Sequence, residues 1–382
     1  MSPARHIAFQ ILLEVDRGGF AADLLLSRTA DLDARDAGLA TGIVLGSLRF
    51  RAQLDYLIER ISGRVVRSLD AEVLTALRMG IYQMRHLDRI PAHAAVGESV
   101  ELVKRSRKRS AAGFVNAVLR KVDRRPVAWP DRATSLSLPA WILERWDRHF
   151  GPQTAEGIAE AFLKPSETYL RVPPGRGIDG LDLEPTDIPG CLRLRSGQTP
   201  GFRIQDIGSQ AIVPLLDLQA GQSFLDLCAA PGNKTAQAME TGVNAVACDV
   251  SANRLVPAKE LGCRLVVLDA TQPLPFRRRF DRILLDAPCS GTGTLGRNPE
   301  IRWRLDPSDL ARQQARQIVM LRRALEALAP GGRLVYSTCS LEPEENEQVL
   351  ESVLGALPEI VVRRIPGVVP GDGFYASVIP ST

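Results

Sequence analysis

Short apolar runs, each closed by small or polar residues, recur through the second half of the chain and constrain its fold more than any other feature. These runs lie at 223–228, 245–250, 264–268, 281–286 and 333–335. Helical patterns lie among them, and such alternation is typical of a parallel sheet with helices on both faces. We therefore predict an α/β Rossmann-like domain, finished by an antiparallel pair of strands at 360–364 and 374–379.

Two of the predicted strands lead into residues that can carry out chemistry. The strand at 281–286 ends in Asp286 and is followed by Cys289, and the run at 333–335 leads through a polar stretch to Cys339. In open α/β sheets, ligands bind at the carboxyl ends of the strands. If these two strands are neighbours, one cleft receives Asp286, Cys289 and Cys339.

The first strand leads into a turn of small residues that precedes a predicted helix. Small side chains let the backbone approach a ligand, and a helix N-terminus favours an anionic group. The turn residues predicted to bind a cofactor are Cys228, Ala229, Ala230, Pro231, Gly232, Asn233 and Lys234. Asp249 ends the second strand, where a carboxylate can accept hydrogen bonds from ribose hydroxyls, and Asp269 follows the third strand, placed to meet an adenine amino group.

These polar strand ends favour a carrier that contains adenosine. The chain has no Gly-x-x-x-x-Gly-Lys-Ser/Thr loop, which argues against a nucleoside triphosphatase. A dinucleotide oxidoreductase would leave Cys289 and Cys339 without a role.

Two thiols beside such a carrier suggest methylation of carbon 5 of cytosine. That carbon is a poor nucleophile until a thiolate adds to carbon 6, which turns the ring into an enamine able to attack the methyl group of S-adenosylmethionine. An acid near ring nitrogen 3 stabilises the charge that develops, and Asp286 is placed for this role or for orienting the base and the donor. The residues alone do not rank the two cysteines as nucleophile.

Composition sets further bounds on the class of protein. The chain has 382 residues, enough for two or three domains, and its formal net charge is only +4. Its six cysteines form no Cys-x-x-Cys pair, so we expect reduced thiols, no metal site and a cytoplasmic location. The apolar stretch at 7–13 is interrupted by Gln10 and fits neither a signal peptide nor a membrane span.

Residues 1–125 carry apolar side chains at spacings of three and four, which predicts an all-helical domain of five to seven helices. The segment 101–125 holds nine basic and two acidic residues, which suits a polyanion and a solvated helix face about equally. Frequent prolines then mark a small α/β linker domain at 126–204, before the α/β domain at 205–382. Arginines close to the cleft in sequence favour contacts with an RNA backbone, namely Arg277, Arg278, Arg279, Arg297, Arg302 and Arg304.

Four segments of the α/β domain resemble the Sun/Nop family of RNA cytosine-C5 methyltransferases. In chain order they are Asp-Leu-Cys-Ala-Ala-Pro-Gly-Asn-Lys-Thr at 226–235, Leu-Leu-Asp-Ala-Pro-Cys-Ser-Gly-Thr-Gly at 284–293, Arg-Asn-Pro-Glu-Ile-Arg-Trp at 297–303 and Tyr-Ser-Thr-Cys-Ser at 336–340. In the helical domain, Glu-Leu-Val-Lys at 101–104 and Ala-Gly-Phe-Val-Asn-Ala-Val-Leu-Arg-Lys at 112–121 resemble the NusB type of RNA-binding domain. Together these resemblances cover nearly the full chain.

The resemblance implies an all-α NusB-like domain, a small α/β linker domain and a class I methyltransferase domain that methylates a cytosine of 16S (small-subunit) ribosomal RNA with S-adenosylmethionine. It implies that Cys339 is the nucleophile and that Cys289 assists release of the methylated base. It also implies that Asp249, Asp269 and Asp286 line the cofactor site together with residues 228–234. We expect a monomer that acts on single-stranded or loop RNA, because the base must leave its stack to reach a thiol.

Two alternatives stay open, and two positions depart from the family pattern. Transfer RNA could be the substrate, or the chain could be a non-catalytic RNA-binding factor. Asn233 stands where the family usually has a second glycine, a position at which we expect a positive φ. Pro173 and Pro174 stand where an asparagine is common, which removes one contact expected on the substrate side.

Overall fold

The computed structural model describes residues 2–197, 199 and 201–380. Its α-helices are α1 (Pro3–Val15), α2 (Ala21–Arg28), α3 (Ala34–Arg49), α4 (Arg51–Ser62), α5 (Ala71–His86), α6 (Ala92–Arg105), α7 (Ala112–Leu119), α8 (Arg132–Ser135), α9 (Ala140–Phe150), α10 (Pro152–Ala161), α11 (Ile207–Gln210), α12 (Asn233–Met239), α13 (Ile301–Arg304), α14 (Pro307–Glu326) and α15 (Glu347–Leu354). Its strands are β1 (Tyr169–Arg171), β2 (Asp182–Pro185), β3 (Cys191–Ser196), β4 (Arg203–Ile204), β5 (Ser223–Asp226), β6 (Asn244–Asp249), β7 (Arg264–Val267), β8 (Phe280–Asp286), β9 (Leu328–Thr338), β10 (Ile360–Arg364) and β11 (Phe374–Pro380).

The chain forms two compact units. The helical unit comprises Met1–Pro165 together with Leu295–Arg304, and the sheet unit comprises Ser166–Thr294 together with Leu305–Thr382. The predicted linker segment 126–204 is divided between the two units at residue 165. Each unit has its own hydrophobic core.

The helical unit is built around α5, whose buried residues lie on nearly all of its faces. Seven α-helices lie within residues 2–125, which confirms the helical prediction for this part of the chain. Close packing requires a glycine at position 46 in α3, because a Cβ atom there would lie 1.9 Å from the ring of Tyr82. Trp146 in α9 is fully buried, as expected for a core residue rather than a base-stacking one.

The segment Leu295–Arg304 satisfies the free ends of three helices in the helical unit. Glu300 accepts a hydrogen bond from the first backbone N–H of α2 at 3.0 Å, where no local side chain caps that helix. Arg304 donates to the carbonyl oxygens of Val15 and Gly19 at the end of α1, and Trp303 donates to the carbonyl of Leu48 near the end of α3 at 2.7 Å. Helix ends buried without such partners are costly, so this segment is part of the helical unit's structure.

The prediction that all six arginines face RNA is wrong for Arg302. Its side chain is fully buried in the helical unit and donates to the carbonyl oxygens of Ser137 at 3.1 Å and Leu295 at 2.8 Å. Burial, with a smaller contribution from Arg49, lowers the pKa of Arg302 to about 9. Arg304 is likewise occupied by backbone carbonyls, whereas Arg277, Arg278 and Arg279 are exposed.

About half of the basic cluster at 101–125 is paired with acids. Arg105 pairs with Glu101, Lys108 with Asp70, Arg124 with Asp88, and Arg125 with Asp123. The other five basic side chains have no ion pair among the residues that the structure describes, and they carry the remaining positive charge: Lys104, Arg107, Arg109, Arg120 and Lys121.

Replacing Arg302 tests whether the segment stabilises the helical unit. In Arg302→Ala, two backbone carbonyls lose their donor and a cavity opens, so we expect the free energy of unfolding to fall by about 2–5 kcal/mol. The measurement is calorimetric unfolding of the full chain, with Arg35→Ala, an exposed position on α3, as the matched control. Equal unfolding temperatures for both variants would contradict this role of the segment.

The sheet unit contains a seven-stranded sheet of order β10-β11-β9-β8-β5-β6-β7. The five strands from β9 to β7 are parallel, and β11 pairs antiparallel with both β9 and β10. This confirms the predicted Rossmann-like fold and its antiparallel edge. A second, antiparallel sheet of order β2-β3-β1-β4 precedes it.

Side chains that alternate along the central strands build a core on each face of the sheet. Ile283 and Leu285 of β8 pack in one cluster with α14 and α15, while Leu284 packs in the other with α12. Helices therefore cover both faces. The helix predicted at 252–261 is instead a short 3-10 helix, Val256–Leu261, because Pro257 lacks a backbone donor and Gly262 ends the segment with a positive φ.

Among the described residues, the helices are all too short or too polar to span a lipid bilayer.

Candidate active site

Two cysteines meet at the carboxyl edge of the sheet because β8 and β9 are adjacent and parallel. Asp286 at the end of β8 lies opposite Ser337 near the end of β9. The loops that follow carry Cys289 and Cys339, whose Sγ atoms are 3.3 Å apart. The structure thus brings the three residues predicted for chemistry, Asp286 and the two cysteines, to the ends of two neighbouring strands.

An ion pair lies beside the thiols. Lys234, in the first turn of α12, donates from Nζ to Oδ2 of Asp286 at 2.6 Å, and Ser337 donates from Oγ to Oδ1 at 2.7 Å. Lys234 also lies 5.4 Å from the centre of the Phe374 ring. Burial alone would lower the pKa of Lys234, but the carboxylate of Asp286 outweighs it and the Cys339 thiolate adds to the effect, so that pKa is raised.

The two thiols have different surroundings. The hydrogen bond with Cys339, then burial and the negative charge of Glu345, raise the pKa of Cys289 well above its ordinary value. Cys339 instead lies in the field of the Lys234 ammonium group. Cys289 is therefore a thiol that holds its proton, whereas a positive charge lies near the sulfur of Cys339.

The predicted cofactor turn joins β5 to α12. Asp249 receives backbone hydrogen bonds from Ala230 at 3.4 Å and from Ser251 at 2.9 Å, which fixes the turn against the end of β6. A Cβ atom at Gly232 would lie 2.9 Å from that of Ala258, so the backbone passes close to its neighbour. Gly232 has φ +106°, a conformation that glycine adopts readily.

The expectation of a positive φ at Asn233 is wrong by one residue. Gly232 has that conformation, whereas Asn233 is the first residue of α12 and needs no special backbone geometry. Its side chain donates to the carbonyl of Ile204 at 3.3 Å. Asparagine is thus compatible with this turn, because the strained position precedes it.

The acids at the strand ends fit an adenosine carrier. The carboxylate of Asp249 accepts two backbone hydrogen bonds and keeps lone pairs for ribose hydroxyls. Asp269 lies exposed beyond β7, where hydrogen bonds from Thr271 lower its pKa and keep it ionised. Asp226, missed by sequence reasoning as a site residue, is buried and accepts from Thr235 at 2.7 Å, and burial raises its pKa to about 7.

Other side chains around the thiols also escaped the sequence analysis. Glu345 is fully buried and contacts both cysteine loops, and Ser337 and Phe374 contact the ion pair. The only local signal for Glu345 is an acidic turn placed just after a buried strand. Among the described residues, no cluster of His, Cys, Asp and Glu suited to a metal ion is present.

Comparisons with known proteins match part of each unit to a protein family. Residues 213–376 match the family described as 16S rRNA methyltransferase RsmB/F, and residues 2–124 match the NusB family. The protein named ribosomal RNA small subunit methyltransferase B in Thermus thermophilus is 36% identical over 368 residues, covering 93% of this chain and 88% of that protein. The protein of that name in Citrobacter koseri is 32% identical, with 98% of each chain covered.

A solved structure extends the likeness to the whole fold. The crystal structure titled PH0851 has a TM-score of 0.82 at 21% identity and covers 100% of this chain and 99% of its own. The sheet, its glycine-bearing turn and its acidic strand ends thus define a Rossmann-like methyltransferase, joined here to a NusB-type helical domain. The chain belongs to the 16S rRNA methyltransferase RsmB/F family. The cofactor predicted from the sequence, S-adenosylmethionine, is confirmed with this assignment.

Replacing Lys234 tests the charge asymmetry at the thiols. Lys234→Met removes the ammonium that attracts the Cys339 thiolate and leaves Asp286 uncompensated, so alkylation of Cys339 by iodoacetamide at pH 8 should slow about three- to tenfold. The rate is read by mass spectrometry of the peptide that contains Cys339. Lys259→Met, at an exposed lysine of the same unit, is the control. An unchanged rate in Lys234→Met would show that the ammonium does not act on this sulfur.

Proposed function

We propose that the protein methylates carbon 5 of a cytosine in small-subunit ribosomal RNA through a covalent thiol adduct. The observation that carries this proposal is the pair of thiols, 3.3 Å apart, beside the Lys234–Asp286 ion pair. A methyltransferase that acted on an exposed nitrogen or oxygen would need no thiol, since those atoms are nucleophiles already. Carbon 5 needs one, because it gains nucleophilic character only when a thiolate adds to carbon 6.

Cys339 is assigned as the nucleophile. Its sulfur attacks carbon 6 and forms a C–S bond, while the ring electrons move to carbon 5. S-adenosylmethionine, when bound, supplies an electrophilic methyl group on sulfur, which carbon 5 takes up. Removal of the carbon 5 proton then drives the C6–S electrons back to Cys339, and the ring regains its aromaticity. Cys289, which keeps its proton, can hydrogen-bond Cys339 and favour its departure.

Asp286 acts as an acceptor in this proposal. Lys234 and Ser337 both donate to its carboxylate, so both of its oxygens already serve as hydrogen-bond acceptors. Of the two roles considered from the sequence, orienting the base and donor therefore suits it better. Lys234 has further N–H donors with which to stabilise negative charge on the ring.

The RNA substrate is inferred from two independent observations. The NusB-type helical domain carries five basic side chains without an ion pair in the described cluster, and the full-length relatives bear the name of small-subunit ribosomal RNA methyltransferases. The target cytosine must be unstacked to reach Cys339, which favours a single-stranded or loop region. A monomeric cytoplasmic enzyme is consistent with this proposal.

The substrate is tested by methylation in vitro. The full chain is incubated with labelled S-adenosylmethionine and unmodified small-subunit ribosomal RNA or transfer RNA, and 5-methylcytosine is mapped by sequencing. We expect label at one cytosine of the ribosomal RNA. Label only in transfer RNA would overturn the substrate, and a chain that neither binds the cofactor nor transfers methyl would support a non-catalytic RNA-binding factor.

The roles of the cysteines are tested by substitution. Cys339→Ala should abolish methylation, with a loss of at least about 10³-fold, because no other thiol can start the reaction. Cys289→Ala should still transfer one methyl group but retain RNA as an adduct on denaturing gels. Cys263→Ala, at a half-buried thiol beside the start of β7, is the control and should match the unsubstituted protein. Adduct formation by Cys339→Ala would reverse the assignment.

A further inference from the structure

Glu345 is a buried carboxyl group directly behind the two thiol loops. It lies in the short 3-10 turn Pro343–Glu345 after β9, and its side chain is fully inaccessible to solvent. Its Oε1 accepts the backbone N–H of Ser290 at 2.7 Å, and its Oε2 accepts the hydroxyls of Ser290 and Ser340. Both carboxyl oxygens are therefore used.

The partners of Glu345 are the residues that follow the two cysteines. Ser290 follows Cys289 on the loop after β8, and Ser340 follows Cys339 on the loop after β9. The two serine hydroxyls are themselves 3.2 Å apart. One carboxyl group thus joins the two loops one residue away from each thiol.

A helix completes the arrangement. Gln317 of α14 donates from Nε2 to the carbonyl of Pro288 at 2.9 Å and to Oε1 of Glu345 at 3.4 Å. The backbone carbonyl of Glu345 accepts from the buried Tyr336 hydroxyl at 2.6 Å. Because these anchors belong to the packed core, Glu345 holds the loops against a rigid frame.

Burying a carboxyl group in this way costs stability. Among the described residues, no Lys, Arg or His forms an ion pair with Glu345, and burial raises its pKa despite three hydrogen bonds that act in the other direction. A carboxyl group desolvated without a cation is unfavourable relative to an apolar side chain of similar size. Glu345 lies where the two loops meet, and we attribute its presence there to the hydrogen bonds by which it joins them.

We propose that Glu345 is a positioning residue that fixes Cys289 against Cys339 by holding Ser290 and Ser340 together. The proposal rests on the proposed function for its consequence: with the two sulfurs aligned, Cys289 can assist the departure of Cys339 from the methylated base. Without Glu345 the loops separate, and release of the product slows more than methyl transfer does.

Thiol alignment can be measured without RNA. Phenylarsine oxide bonds two neighbouring thiols at once, forming two As–S bonds while the thiol protons leave with the oxide oxygen as water. The full chain should bind one equivalent, and Cys289→Ala should lose this binding. Glu345→Gln should bind at least tenfold more weakly, whereas Glu359→Gln, at an exposed acid beside the start of the edge strand β10, should bind like the unsubstituted chain.

The second readout separates positioning from general stability. In a single turnover with substrate RNA, Glu345→Gln should transfer methyl within about threefold of the normal rate but release RNA at least tenfold more slowly, so that the adduct accumulates. A merely structural role would lower both rates together. If Glu345→Gln does not fold, Ser290→Ala removes one hydroxyl contact and should weaken phenylarsine oxide binding about threefold.

The outcomes distinguish the two proposals. The role of Glu345 is overturned if folded Glu345→Gln binds phenylarsine oxide normally. Where Glu345→Gln does not fold, normal binding by folded Ser290→Ala has the same meaning. Equal slowing of methyl transfer and release in Glu345→Gln also overturns it. If Glu345→Gln weakens phenylarsine oxide binding but the unsubstituted chain traps no adduct with RNA that contains 5-fluorocytosine at the target, the positioning role is supported and the proposed covalent mechanism is overturned.

Discussion

The parallel pairing of β8 with β9 is the constraint on which the rest of the site depends. The register that sets Asp286 opposite Ser337 brings the two following loops side by side, so Cys289 and Cys339 meet although fifty residues separate them. A shift of one residue would send Asp286 to the other face of the sheet. Apolar residues on both faces of β8, Leu284 on one and Ile283 and Leu285 on the other, make such a shift costly.

Charge then gives the two thiols different properties. Lys234 approaches from α12 and places a positive charge near Cys339, while Glu345 approaches from the turn after β9 and places an acid near Cys289. Two chemically identical side chains thus lie in different electrostatic surroundings. This difference supports the proposed roles, attack by Cys339 and proton retention by Cys289, a ranking for which the sequence alone offers no physical argument.

The sequence predicts those parts of the protein that depend on local pattern. Apolar runs ended by Asp286 or followed by Cys339 are visible in the chain, and the alternation of strands with helices indicates a parallel sheet. Glu345 was missed because one of its partners, Ser290, lies fifty-five residues away on another loop. Arg302 was misread because an arginine ordinarily lies at the surface, and only the folded chain shows the carbonyls that it binds.

The covalent mechanism is tested most directly with RNA in which the target cytosine is replaced by 5-fluorocytosine. Fluorine at carbon 5 leaves no proton to remove, so the adduct cannot be released after methyl transfer. Tandem mass spectrometry of the trapped complex identifies the sulfur bonded to carbon 6. We expect a single adduct on Cys339, whereas an adduct on Cys289, or no adduct with a chain that methylates ordinary RNA, would contradict the proposed mechanism.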